Sequence, residues 1–223
     1  NPDWLLSFFN NPSIIRPNLQ VKMPSFHQIS DEEWDAIIAY FQHVDSENIN
    51  YRGIHQFDPE SMEFAAGAKL HEIGQCNSCH FYGEEFPTGD APTWAPNLAL
   101  TKERLNPGWV TEWLKNPGAI MPGTKMPAPY VPDSEILSME GAESDWGKAL
   151  VAIDGDTIAM LDGLRDYLWN IKGPTNIDAQ IKAYFAENGY DFDSESGDEY
   201  EDDDDSWDDD EDDWGEDDED DDW

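Results

Sequence analysis

Apolar positions along the chain recur at helical spacing. Trp34, Ile37, Ile38, Phe41 and Val44 form one stripe, opened by Ser30-Asp31-Glu32-Glu33. That tetrad is a capping box, with Ser30 as N-cap and Glu33 reaching back to it. It predicts a helix over 31–44. A second helix is predicted over roughly 60–74. A third is capped by Asp156-Thr157, carries Ile158, Leu161, Leu164, Leu168 and Ile171 on one face, and stops at Gly173-Pro174. A short helix over about 176–187 follows. Between these stripes, 45–59 is polar and reads as a linker. Residues 81–98 read as a loop rich in Gly and Pro, and 128–155 as a mobile insertion. The pattern predicts an all-α chain.

Two stretches repeat each other. NPDWLLSFFNNPSIIRPNLQVKMP opens the chain, and NPGWVTEWLKNPGAIMPGTKMP spans Asn106 to Pro127. Each begins with Asn-Pro, places a tryptophan at the fourth position (Trp4, Trp109), and reaches a second Asn-Pro at Asn11-Pro12 or Asn116-Pro117. Each ends in Lys-Met-Pro, at Met23 and Met126. The copies differ by two residues before that last tripeptide. A repeat of so many special residues in one order implies two units of one design.

The stretch between the copies carries the chemistry. Cys76-Asn77-Ser78-Cys79-His80 is the spacing of covalent c-type haem attachment. On one turn, two thiols can reach the two vinyl groups of a porphyrin, and the next residue presents an imidazole to the iron. A structural zinc site would need a second pair of ligands, and the chain has only these two cysteines.

With these parts in this order, residues 60–173 resemble a class I cytochrome c. The CxxCH follows a helix, and Asn116-Pro117 leads through Pro122-Gly123-Thr124-Lys125-Met126 to a closing helix. The run from Gly67 to Cys76 is one residue longer than in that family, and 128–155 is additional. The resemblance implies a class I cytochrome c fold with one haem c on Cys76 and Cys79. It makes His80 and Met126 the axial metal ligands, with the Pro96 carbonyl fixing the His80 ring and Trp113 as the aromatic beside the methionine sulfur. Met121 is the rival of Met126, but in the repeat it aligns with Arg16 while Met126 aligns with Met23. His71 is expected to face solvent. Trp94 and Trp109 would lie on the haem edge, meet a propionate, or belong to the core. Arg104 would pair a propionate or lie on the surface. Met62, Met139 and Met160 read as core or rim.

Residues 1–44 resemble the distal half of a second such domain without its CxxCH. Met23 would then ligate a second haem, attached upstream or on another chain, or the half-domain would be a relic without haem. The expected organisation is this half-domain, the 45–59 linker, the 60–173 domain, a helical extension over 174–190, and a disordered acidic tail over 191–223.

Charge adds the partners. The formal net charge is −38, and 191–223 hold 23 of the 50 acids with no Lys or Arg. Nucleic acid is disfavoured, since phosphates need a basic face. The tail, interrupted by Trp207, Trp214 and Trp223, would attract a basic cytochrome or similar carrier. No apolar run is long enough to span a bilayer, so membrane association would come through partner subunits or a missing upstream segment. No secretory signal is legible, and the opening Asn1-Pro2-Asp3-Trp4 already reads as helix. A processed chain, or part of a longer one, is expected. The resemblance implies electron transfer on the periplasmic or extracytoplasmic side, beside other electron-transfer subunits of a multi-haem respiratory or photosynthetic complex. The competing readings are a dihaem peroxidase-like enzyme and an acidic docking subunit.

Overall fold

The computed structural model describes residues 2–17, 23–48, 57–140 and 145–189. The expected tail over 191–223 and most of the expected linker lie outside the described residues. Among those described the architecture is all-α, with two isolated β-bridges and no strand.

The N-terminal unit is a helix pair, α1 (Pro2–Asn10) and α2 (Asp31–Asn48). The capping box forms in both directions: Glu33 N–H donates to Ser30 Oγ at 3.3 Å, and Ser30 N–H to Glu33 Oε2 at 2.9 Å. The helix runs four residues beyond the expected end, because no Gly or Pro interrupts it before Asn48. Trp34 stacks on Phe9 at 4.3 Å and meets the edge of Phe26, while Ile38 and a half-buried Met23 complete a small core.

The larger unit is built on the crossing of α3 (Met62–Ile73) with a late helix. After α3 come α4 (Thr101–Arg104), α5 (Pro107–Lys115), α6 (Pro117–Ile120), α7 (Ser134–Glu140), α8 (Asp145–Ala152), α9 (Thr157–Trp169) and α10 (Asp178–Glu187). Ser61 caps α3 by accepting from Phe64 N–H, and Asp156 caps α9 by accepting from Ala159 N–H. Where α3 and α9 cross, Gly67 faces Gly163. A Cβ on Gly67 would lie 2.1 Å from the Gly163 carbonyl carbon, so the two backbones touch. Ala66, Leu70, Val110, Leu114, Leu161 and Leu164 fill the core around this contact.

Residues 128–155 are not the loose insertion expected. They contain α7 and α8, whose Leu137 and Leu150 are fully buried in the main core, and α8 packs on α3. Ser134 donates to Asp154 Oδ1 at 2.6 Å and ties the two ends together. The 174–190 extension is likewise part of the packing. Ile177 and Ile181 join Phe81 and Trp94 in a second cluster, edged by Phe86, Tyr184 and Phe185. Ile14 packs on the same cluster, and its N–H donates to Asp178 Oδ1 at 2.9 Å. That contact and Arg104, whose guanidinium lies 5.6 Å from the Trp4 ring centroid, hold the N-terminal unit to the larger one.

Candidate functional site

α3 ends at Ile73 with Gly74 as its cap, and Gln75 then takes a left-handed conformation at φ 47°. For a non-glycine this costs roughly 1–2 kcal/mol. It turns the chain sharply between α3 and the Cys76 turn. Cys76–Ser78 form a 3-10 turn, and Cys76 O accepts from both Cys79 N–H (3.2 Å) and His80 N–H (2.9 Å). One turn therefore carries both thiols and the imidazole. Both cysteines are free and half-buried. Burial pushes the Cys76 thiol up, so it stays protonated and is a poor thiolate nucleophile.

His80 is fixed by the loop that follows. Its Nδ1 lies 2.7 Å from the Pro96 carbonyl oxygen. A carbonyl only accepts, so Nδ1 carries the hydrogen and Nε2 keeps its lone pair. Burial holds the imidazole below its ordinary pKa, with the Pro96 contact opposing in part, and the neutral ring is the ligand form. Ala95 N–H donates to Cys79 O at 2.7 Å and Leu98 N–H to Phe81 O at 2.9 Å, stitching the loop to the turn. Asn97, which the sequence did not single out, is the rivet. Its buried side chain accepts from Gly83 and Ala99 N–H groups and donates to the Pro174 carbonyl. Its position directly after Pro96 was the only available sign.

Met126 lies against the same core cluster as Cys76. Trp113 Nε1–H donates to Met126 Sδ at 2.9 Å, and the Trp113 ring stacks on Trp109 at 5.2 Å. Met121 is at the surface, 38% exposed, with its sulfur 3.7 Å from Arg16 Nη2. Met160 is core and Met139 is exposed. Trp94 belongs to the second cluster, its Nε1–H donating to Gly89 O at 2.9 Å.

His71 does not face solvent as expected. It is half-buried, hydrogen-bonded through Nε2 to the Tyr82 hydroxyl and packed on the Tyr167 ring at 4.6 Å. Burial, with the nearby His80, holds it below its ordinary pKa. A cleft of about 490 Å³ opens beside it, lined in part by Asn77, Tyr82 and Tyr167 but by neither His80 nor Met126. A second feature missed from sequence is Arg165. It is buried on α9, bonded to Asp166 and Asp162, and reaches Thr111 Oγ1 at 3.2 Å to lock α9 to α5. Met23 lies apart from His80 and Met126, in the N-terminal core.

The donors present here are two free thiols, one imidazole nitrogen left unbonded and a thioether held by Trp113. Among the described residues no three of His, Cys, Asp and Glu gather as ligands. A porphyrin supplies four nitrogens itself and asks the protein for two axial donors and two thiols. Comparison with protein-family models, with curated proteins and with solved structures returned no match.

Proposed function

We propose that the chain is an electron-transfer protein with a class I cytochrome c domain, carrying one haem c on Cys76 and Cys79 with His80 Nε2 and Met126 Sδ as axial ligands. The observation that carries this reading is the His80 ring. It follows directly on two free thiols, and one nitrogen is tied to the Pro96 carbonyl so that the other is left as a donor. When bound, the haem supplies a one-electron ferrous/ferric couple.

The protein's part is to hold donors and exclude water. The Pro96 carbonyl fixes the ring orientation and strengthens the imidazole as a donor. The Met126 thioether is a neutral ligand that favours the ferrous state. Trp113 holds that sulfur by its N–H, and a sulfur keeps a further lone pair for iron. Met126 would occupy the iron's remaining site and leave none open to peroxide, which favours electron transfer over a peroxidase reaction. We place the protein on the extracytoplasmic side, among electron-transfer subunits, with a basic carrier as partner for the 191–223 segment.

Met126→His tests the ligand assignment. It should remove the thioether-to-iron charge-transfer band of the oxidised protein and lower the midpoint potential, while Met121→Ala leaves both unchanged. Loss of the band in Met121→Ala, with retention in Met126→His, would transfer the role to Met121.

A further inference from the structure

We infer that residues 2–17 and 23–48 belong to the distal half of a second haem site, with Met23 as the iron ligand and α2 as the seat for a haem-bearing helix that this sequence does not itself supply. This rests on the electron-transfer reading above. The opening helices of the two repeat copies are alike. α1 and α5 are both nine residues long and both stack aromatic rings four residues apart. The pairs are Trp4–Phe8 at 4.9 Å and Trp109–Trp113 at 5.2 Å, each with an interplanar angle of 14°. α1 packs on α2 as α5 packs on α9. Met23 and Phe8 each pack against the N-terminal core, and Met126 and Trp109 each pack against the larger one.

The burial pattern of α2 shows what is missing. Setting Tyr40 against Tyr167 pairs Ile38 with Arg165 and Ala36 with Gly163. Ile38 and Arg165 are both buried, and each packs toward its own Asn-Pro helix. The other face differs. Gly163 and Tyr167 are covered by α3, through Glu63 and Gly67 at the one and Phe64 and His71 at the other. Their counterparts Ala36 and Tyr40 are exposed, Tyr40 by 64%, and Phe41 beside them by 45%. A small residue flanked by aromatics is thus presented at the point where the second copy receives its helix. Trp34 Nε1–H, buried in the same unit, has no acceptor among the described residues, and a buried donor left unpaired is costly.

The chain has no second haem-attachment motif to supply that helix. It has one CxxCH, and the helix leading into it is already packed on α9. A second copy has the same helix engaged in the same way. What fits is a helix of α3's kind, with a small residue at the crossing and a covalent haem at its end.

The test titrates a haem-bearing peptide with the sequence of residues 57–80 into the full-length protein, after its own haem content has been counted by intact mass. One peptide per chain should bind and gain a thioether-to-iron charge-transfer band. Met23→Ala should abolish that gain without touching the resident band, and Tyr40→Asp should weaken peptide binding by about tenfold or more, the scale of a lost interface anchor. No binding, or a band that persists in Met23→Ala, would overturn the proposal. A Met23-dependent band on a chain with no haem of its own would overturn the reading of the 60–173 domain and leave this one standing.

Discussion

Gly163→Ala probes the crossing on which the larger unit is built. A Cβ there would lie 1.9 Å from the Glu63 carbonyl oxygen and 2.7 Å from its carbon. An ordinary carbon–oxygen contact is about 3.3 Å or more, so α3 must move off α9 by more than 1 Å. The obstacle is backbone and cannot rotate away. The overpacking penalty therefore belongs at the upper end of its usual range, about 3 kcal/mol. Alanine returns about 1 kcal/mol of helix propensity, leaving a net loss near 2 kcal/mol. For a chain of this size that lowers Tm by about 4–8 °C. Gly118→Ala is the control: it also lies in a helix, but its nearest neighbour beyond the adjoining residues would be 3.8 Å away. It should leave Tm unchanged or raise it slightly. Thermal unfolding followed by far-UV circular dichroism reads both. A Gly163→Ala protein as stable as Gly118→Ala would refute the close crossing.

His71 is kept neutral in the fold, so the unfolded chain takes up its proton first. Its contribution to stability is full above its ordinary pKa, roughly 6.5, and is lost as pH falls below that value. His71→Phe should flatten this acid limb in urea titrations, and an unchanged slope would exclude the buried imidazole as its cause. Deleting 191–223 should slow electron transfer to a basic carrier at low ionic strength and matter little near 1 M salt, where the Debye length is about 3 Å. An equal effect at both would assign the tail's action to Trp207, Trp214 and Trp223 instead of its charge.

Local signals in the sequence read through to structure. The Ser30–Glu33 capping box, the Asp156 cap and the paired Asn-Pro helices are set by neighbours within four residues, and they form as expected. The Pro96 carbonyl lies on His80, a contact implied by the resemblance and not by any local signal. What failed was non-local. α7 and α8 are seven and eight residues long, too short to show a period, and their burial depends on α8 packing on α3 and α7 on α8. His71 reads as a polar residue on an exposed flank until Tyr82 and Tyr167 arrive from 11 and 96 positions away. Arg165 breaks the apolar stripe of α9, and only the fold brings Thr111 to meet it.

The central claim is covalent haem on one turn of the chain. Intact mass combined with a pyridine haemochrome spectrum, on protein matured in a host that attaches haem c, tests it most directly. One haem per chain is expected, held by two thioethers. Cys76→Ala and Cys79→Ala should each reduce this to a single thioether, and the double variant should carry none. A chain of unmodified mass with both thiols titratable, or a haem that survives loss of both cysteines, would contradict the account.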